Sequence, residues 1–202
     1  NKPYLLIADS LAVKEGETAS PTIQPDHREI GRRLGEQLKT KKQKIGIIAD
    51  WKMSEAVQAE ISGLTEALEG SGSEISWCIY RRKEQNITER MKEETKADAL
   101  VILDPGVLEE FGEQAEHGKY KGAELYGVGY SLKTVALLDK GNIQGLVVPD
   151  GYEIGYKSVK EIAGKIEHKF YKMKGYTTEY QIFSKKDFSM DDDLERFLYS
   201  YE

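Results

Sequence analysis

Short, almost wholly apolar runs alternate along this chain with longer stretches in which apolar positions recur at helical spacing. The runs at residues 4–8 (YLLIA), 44–49 (KIGIIA), 74–80 (EISWCIY), 99–104 (ALVILD), 124–130 (ELYGVGY) and 145–149 (GLVVP) predict strands. Several are nearly devoid of polar positions, as expected of parallel strands covered on both faces. Between them, DHREIGRRLGEQLKT puts Ile30, Leu34 and Leu38 on one stripe, which predicts an amphipathic helix. SEAVQAEISGLTEALEG opens on Ser54, whose hydroxyl can accept from the free N–H groups of a first turn. It aligns Val57, Ile61, Leu64 and Leu68, and stops at Gly70. ITERMKEETKA and GVLEEFGEQAEHG follow, then SLKTVALLDKG, which starts on Ser131 and closes on Gly141, then YEIGYKSVKEIAGKIEHKFYKMKG. Such alternation predicts right-handed crossovers and an α/β fold with a doubly wound parallel sheet.

Two regions break the alternation. Residues 11–25 (LAVKEGETASPTIQP) are polar, hold Pro21 and Pro25 and show no helical stripe. A structureless stretch of that length is uncommon inside a compact domain, so it reads as a connection between two bodies. The end, YTTEYQIFSKKDFSMDDDLERFLYSYE, predicts one alternating strand and then a short acidic helix from near Asp191.

Composition narrows the function classes. At 202 residues, 39% hydrophobic and 32% charged, the chain is globular and large enough for one domain, or one and a half lobes of a larger molecule. Its apolar runs are too short to span a bilayer. A net charge of −6 argues against nucleic acid as a partner through this region. The basic runs at 39–44 and 81–83 are short and read as solvated loops. A lone cysteine, Cys78, excludes an internal disulfide and a Cys-based zinc cluster, and its place in ISWCIY is that of a buried thiol. His27, His117 and His168 all read as surface residues, and they show no metal-ligand spacing. YGVGYS lacks the third glycine of a dinucleotide fingerprint, and neither a phosphate-loop motif nor a GxSxG elbow occurs. No metal or cofactor is expected, and nothing pairs a nucleophile with a base, so the chain does not read as an enzyme. It opens without Met almost directly into a strand, and so reads as part of something longer.

Carboxylates supply the candidate chemistry. Asp9, Asp50 and Asp104 end predicted strands, and Asp150 follows GLVVP. In an open α/β sheet ligands bind outside the carboxyl ends of the strands. Each Asp taken alone is equally a turn former or helix cap. Four in equivalent places suit a polyhydroxyl or cationic ligand. Trp51, beside Asp50, could stack on the apolar face of a sugar ring or pack on the neighbouring helix.

The stretch ALLDKGNIQGLVVPDGYEIGYKSVKEI resembles the periplasmic binding protein type I superfamily, which holds sugar-binding proteins of ABC transporters and effector domains of the lac-repressor family. A Gly-x-Ile turn (Gly141 to Ile143) leads to a strand, a crossing and a helix bearing Gly155-Tyr156. KPYLLIADS, with Asp9 and Ser10 at its end, resembles the family's last strand before the first crossing. PDHREIGRRLGEQL resembles its Asp-Asn-x-x-x-Gly helix start, with His27 in place of Asn. AVQAEISGLTEAL resembles the helix after the next strand, ADALVILDPGVLEEFG the strand carrying an Asn or Asp ligand, and LYGVGYS stands where the family has Gly-x-Asp.

The resemblance implies two lobes joined by three crossings, closing on a ligand between them. Residues 1–25 would be a remnant strand of the first lobe and a crossing segment, and 26–149 the second lobe. Residues 150–174 would be a helix belonging to the first lobe, and 175–202 the final strand and tail. One lobe would thus be complete, with a strand and a helix of the other. The first lobe's opening elements would lie outside this chain, cut away or lost. The implied ligand-binding residues are Asp9, Ser10, His27, Asp50, Trp51, Gln58, Asp104, Ser131 and Asp150. Three positions depart from the family: Gln58 stands where sugar binders often have Arg, Ser131 for the Gly-x-Asp acid, and Pro149 for Gln. Charge-assisted hydrogen bonds are worth about 1.5–3 kcal/mol each, so ordinary monosaccharide affinity would need other groups to compensate. The resemblance implies an extracytoplasmic solute-binding protein, membrane-anchored on the strength of its long tail. Its partners would be a small polar solute such as a carbohydrate, and an ABC permease or membrane sensor. Two alternatives stay open: a cytoplasmic lac-repressor-type effector domain, and a degenerate lobe that binds protein.

Overall fold

The computed structural model describes residues 2–9, 20–50, 54–81, 86–120 and 122–186. In chain order they form β1 (Leu6–Ile7), β2 (Thr22–Pro25), α1 (His27–Leu38), β3 (Lys44–Ala49), α2 (Glu55–Leu68), β4 (Glu74–Tyr80), α3 (Ile87–Met91) and β5 (Ala99–Ile102). They continue with α4 (Pro105–Glu116), β6 (Glu124–Val128), α5 (Leu132–Asp139), β7 (Gly145–Pro149), α6 (Gly151–Glu167), β8 (Tyr176–Thr178) and β9 (Tyr180–Ser184). Each helix of eight residues or more begins on a side chain that accepts an N–H of its first turn: Asp26, Ser54, Asp104, Ser131 and Asp150.

The larger sheet has six strands in the order β4-β3-β5-β6-β7-β9. Its first five are parallel, and β9 lies antiparallel to β7. Apolar residues of β3, β5 and β7 supply both faces. One face packs Ile30, Leu34 and Leu38 of α1 and Val57, Leu64 and Leu68 of α2, and the other packs Leu108 and Phe111 of α4 and Leu137 and Leu138 of α5. The doubly wound sheet predicted from the apolar runs is therefore present, with an antiparallel edge strand added.

Helices α1 and α2 approach so closely that no side chain fits between them. A β-carbon at Gly31 would lie 1.8 Å from the Glu60 carbonyl oxygen, and one at Gly63 would lie 1.9 Å from that of Arg28. Gly46 likewise leaves room for the indole of Trp77 against β3.

The smaller sheet is β1-β2-β8, all parallel, with α6 against it. The sequence predicts one strand in this body. The structure has three, because Thr22–Pro25 and Tyr176–Thr178 pair despite being short and polar. Among the described residues, three connections join this body to the large sheet: Pro25 to Asp26, Pro149 to Asp150, and Thr178 through Glu179 to Tyr180. Pro25 is registered with Thr178 and Pro149 with Tyr180, so the three run side by side with the last in the middle. The Asp150 N–H donates to the Glu179 carbonyl at 3.0 Å, and the Glu179 N–H to Glu153 at 2.8 Å.

Buried Glu161 of α6 ties the small body together. Its carboxylate accepts from the Tyr171 hydroxyl (2.9 Å), the Tyr176 hydroxyl (2.8 Å) and the Lys174 N–H (2.8 Å). Burial alone would raise its pKa, but these donors lower it below the ordinary carboxylate range. Along α6, Tyr152, Tyr156, Val159 and Ile166 are exposed. Ser10, Trp51, most of the polar connection and the acidic helix expected near Asp191 lie outside the described residues.

Candidate functional site

The strand order reverses between β3 and β5: from β3 the chain steps outward to β4, then returns to the other side of β3 as β5. At such a switch point the two following helices diverge and leave a crevice at the carboxyl ends of the strands. A cavity of about 670 Å³ opens there. The large body lines it with Asp50 after β3, Leu103 to Gly106 after β5, Val128 at the end of β6 and Tyr130 beyond it, and the first turns of α1 and α2. The small body lines it with Ala8, Asp9, Pro25 and Ile154.

Asp9, just past the end of β1, reaches the N-terminus of α2 in the large body. Its Oδ2 accepts from the Ser54 hydroxyl at 2.7 Å and its Oδ1 from the Ala56 N–H at 3.0 Å. Ser54 in turn accepts from the Val57 N–H at 3.1 Å. The α2 N-terminus is thereby held by a carboxylate of the small body, a favourable place for negative charge.

Asp104 is buried and bridges two roles. Its Oδ1 accepts from the Val107 N–H at 2.9 Å, and its Oδ2 from Arg81 at 2.8 Å. Arg81 leaves β4 with its N–H bonded to the Ala49 carbonyl at 2.8 Å. Its half-exposed guanidinium lies in the field of Asp50 as well as Asp104. Asp50 is exposed on the cavity wall.

His27, the first residue of α1, places Nδ1 2.7 Å from Glu60 Oε1 and Nε2 2.7 Å from the Ala8 carbonyl oxygen. Burial pulls its pKa down, but Glu60, the Ala8 carbonyl and Asp9 more than offset this and leave it raised above 6.5. Burial pushes the Glu60 carboxyl up. Ala8 accepts this geometry at φ 66°, a left-handed conformation that alanine rarely adopts.

Of the residues implied by the sequence, the structure brings Asp9, His27, Asp50 and Asp104 to one cavity. It does not bring three others to the wall. Gln58 is exposed on α2, with its side chain bonded to Tyr80. Ser131 caps α5 and donates to Glu109 at 2.6 Å. Asp150 caps α6 by accepting from the Glu153 N–H at 2.8 Å, and its neighbours Pro149 and Gly151 line the cavity instead. For Asp150 the helix-cap alternative describes the local chemistry.

Sequence reasoning missed Glu60, Arg81 and Tyr130. Glu60 was legible: it falls on the α2 stripe with Ala56, Val57, Gly63 and Leu64, so an acid was being buried, while Ile61 is only half-buried. Arg81 was hidden in a basic run assigned to solvent. Tyr130 is 63% exposed at the cavity mouth, an aromatic face in the region where Trp51 was expected. No group of three or more His, Cys, Asp or Glu side chains that could hold a metal occurs among the described residues.

No protein-family model matches the chain, and no curated protein matches it in sequence. Solved structures match its fold. GanP, a glucose-galactose binding protein from Geobacillus stearothermophilus, is 20% identical with a TM-score of 0.73, over 93% of this chain and 69% of its own. A carbohydrate-transporter solute-binding protein from Agrobacterium radiobacter, solved with D-arabinose, is 19% identical with a TM-score of 0.77, over 96% of this chain and 70% of its own. A protein from Bacteroides fragilis assigned as a LacI transcriptional regulator is 14% identical with a TM-score of 0.70, over 92% and 68%. The chain has the periplasmic-binding-protein type I fold.

Proposed function

Taking the type I fold as premise, we propose that this chain is the solute-binding part of an extracytoplasmic protein related to ABC-transporter sugar binders. It takes a small polar, sugar-like solute between its two bodies. The observation that carries this reading is the cavity at the β3/β5 switch point, walled from both sheets, whose roughly 670 Å³ is of a size to hold such a solute. Tyr130 offers a ring for the apolar face of the solute, and Asp50 and the Asp104–Arg81 pair offer polar groups at its edge. The pocket is divergent in that Asp9 and Asp104 already hold partners within the chain. A solute must displace or extend these bonds, which selects for ligands with donors able to compete. The chemistry is binding, with no catalytic step.

In this reading the partners are an ABC permease or a membrane sensor, and the protein is held at the membrane by an anchor. Among the described residues no helix is long and apolar enough to cross a membrane. The likeness to the Bacteroides fragilis protein favours a second reading, an effector-binding domain of a lac-repressor-type regulator. Export of the full-length protein separates the two.

The test is a thermal-shift and calorimetric screen against monosaccharides, polyols, amino acids and nucleosides. A solute at a hundred times its Kd adds about 2.7 kcal/mol, a rise of roughly 5–10 °C in a protein of this size. Substituting Tyr130→Ala is expected to remove most of that shift. No shift with any compound, in this chain or the full-length protein, sinks the solute reading and leaves a degenerate lobe that binds protein.

A further inference from the structure

The end of β1, at Ala8 and Asp9, touches the large body and is fastened there at two points. Asp9 holds Ser54 and the Ala56 N–H, and the Ala8 carbonyl holds His27 Nε2. The second fastening depends on protons in a way the first does not. Both ring nitrogens of His27 face acceptors at 2.7 Å, the Ala8 carbonyl and the Glu60 carboxyl. A neutral imidazole has a single N–H and cannot serve both while Glu60 is ionised. Both contacts together require two protons on the ring and carboxyl. Either an imidazolium faces a carboxylate, or a neutral ring faces a protonated Glu60. Glu60 is 4% exposed, so once the shared proton is lost the remaining N–H stays on Nδ1 facing that carboxylate, and the Nε2 lone pair is left against the Ala8 carbonyl oxygen.

The surrounding charges favour keeping that proton. Asp9 faces His27 from the β1 exit, Asp26 caps the helix that His27 begins, and Asp50 and Asp104 stand on other walls of the same cavity. Against them stand the α1 N-terminus, Arg28 next in sequence but paired with Glu66, and Arg81 paired with Asp104.

We propose that His27 and Glu60 form a proton-operated clasp between the two bodies. With the shared proton in place, Ala8 is held and the crevice is closed. When it leaves, Ala8 is released from its left-handed conformation, the Asp9 fastening alone remains, and the small body gains freedom to swing. The sign follows from the raised His27 pKa: the clasp is complete below about pH 6.5 and is lost as pH rises through the raised value. This device goes beyond the solute-binding reading and operates whether or not a solute is present. It makes opening of the crevice a response to pH.

The experiment uses the full described chain with Cys78→Ser and spin labels at Glu69, at the end of α2, and Lys160, on α6. Their separation is recorded over roughly pH 5 to 9, the range in which a shifted histidine titrates. The His27 ring is titrated by NMR in unlabelled protein, its signals assigned by their loss in His27→Gln. The expected result is a His27 midpoint above 6.5 and a change in label separation with the same midpoint. Glu60→Gln should lower that midpoint and uncouple the separation from pH. A His27 that titrates at or below its ordinary value overturns the proposal, as does a separation that stays fixed while His27 titrates. If either variant fails to fold, the His27 titration, assigned through His117→Gln and His168→Gln, is compared with the label separation in the otherwise native chain, and different midpoints overturn the proposal.

Discussion

The two bodies of this molecule hold themselves together by different means. The large one buries apolar side chains on both faces of its sheet, with Ile45, Ile47, Ile48, Val101 and Ile102 wholly enclosed. The small one has short strands and a helix, α6, whose buried residues are Ser158 and Glu161. Beyond Ile23 of β2 and the pairing of its three strands, its coherence comes from hydrogen bonds to one carboxylate and from its connections to the other body. Apolar burial is cumulative and tolerates the loss of one group, whereas a polar hub fails when its centre is removed. The crevice lies where these two kinds of construction meet, so its walls differ in stiffness.

The contrast can be broken most severely from the large side. Phe111 is 1% exposed and stacks on Tyr120 with ring centres 4.6 Å apart, so Phe111→Ala should cost about 3–5 kcal/mol of global stability in urea unfolding. Gly63→Ala should cost on the order of 3 kcal/mol, because its β-carbon meets the Arg28 backbone at 1.9 Å and must drive α1 and α2 apart. Circular dichroism of the urea transition measures both. Glu161→Ala sharpens the contrast. It strands three donors and should cost about 1–3 kcal/mol, but hydrogen exchange should rise around Lys174 to Thr178 while the large sheet stays protected. If exchange rises equally in β3 and β5, the two bodies are one cooperative unit. His27 contributes less: its raised pKa stabilises the folded state below the unfolded value of about 6.5, and that contribution fades as pH rises through the folded value. The urea midpoint should therefore fall more steeply on the alkaline side for the native chain than for His27→Gln. The smallest effect is expected at Lys92–Glu89, an exposed pair whose removal by Lys92→Ala should change stability by about 0.5 kcal/mol or less.

The same contrast governs what could be read from the sequence. Strands β3, β4 and β7 occupy the residues that their apolar runs mark: β3 and β7 are covered on both faces, and β4, at the sheet edge, is marked by alternation of polar and apolar positions. Strands β2 and β8 were not legible. TIQP and YTT carry little apolar surface, and their pairing is imposed by β1 and by each other through contacts distant in sequence. For the site, strand-end carboxylates pointed to Asp9, Asp50 and Asp104, since a sheet's carboxyl edge is fixed once its strands are known. The partners that complete the site were harder to find. Arg81 meets Asp104 across two strands, and the Ala8 carbonyl that engages His27 has no side-chain signature at all. Ser131 and Asp150 show the converse: a residue can hold the expected position and spend its oxygen on its own helix.

The three side-by-side connections carry a mechanical consequence. A single tether would let one body pivot and spin freely on the other. Three straps in a row, with Pro25 and Pro149 fixing φ in the outer two and the Asp150–Glu179 hydrogen bond lacing the middle one to its neighbour, resist both torsion and sliding. What they leave soft is bending about the line on which they lie. Relative motion of the bodies then reduces to one angle, and a strap stiffened anywhere along that line would retune the whole range of movement without touching the walls of the cavity.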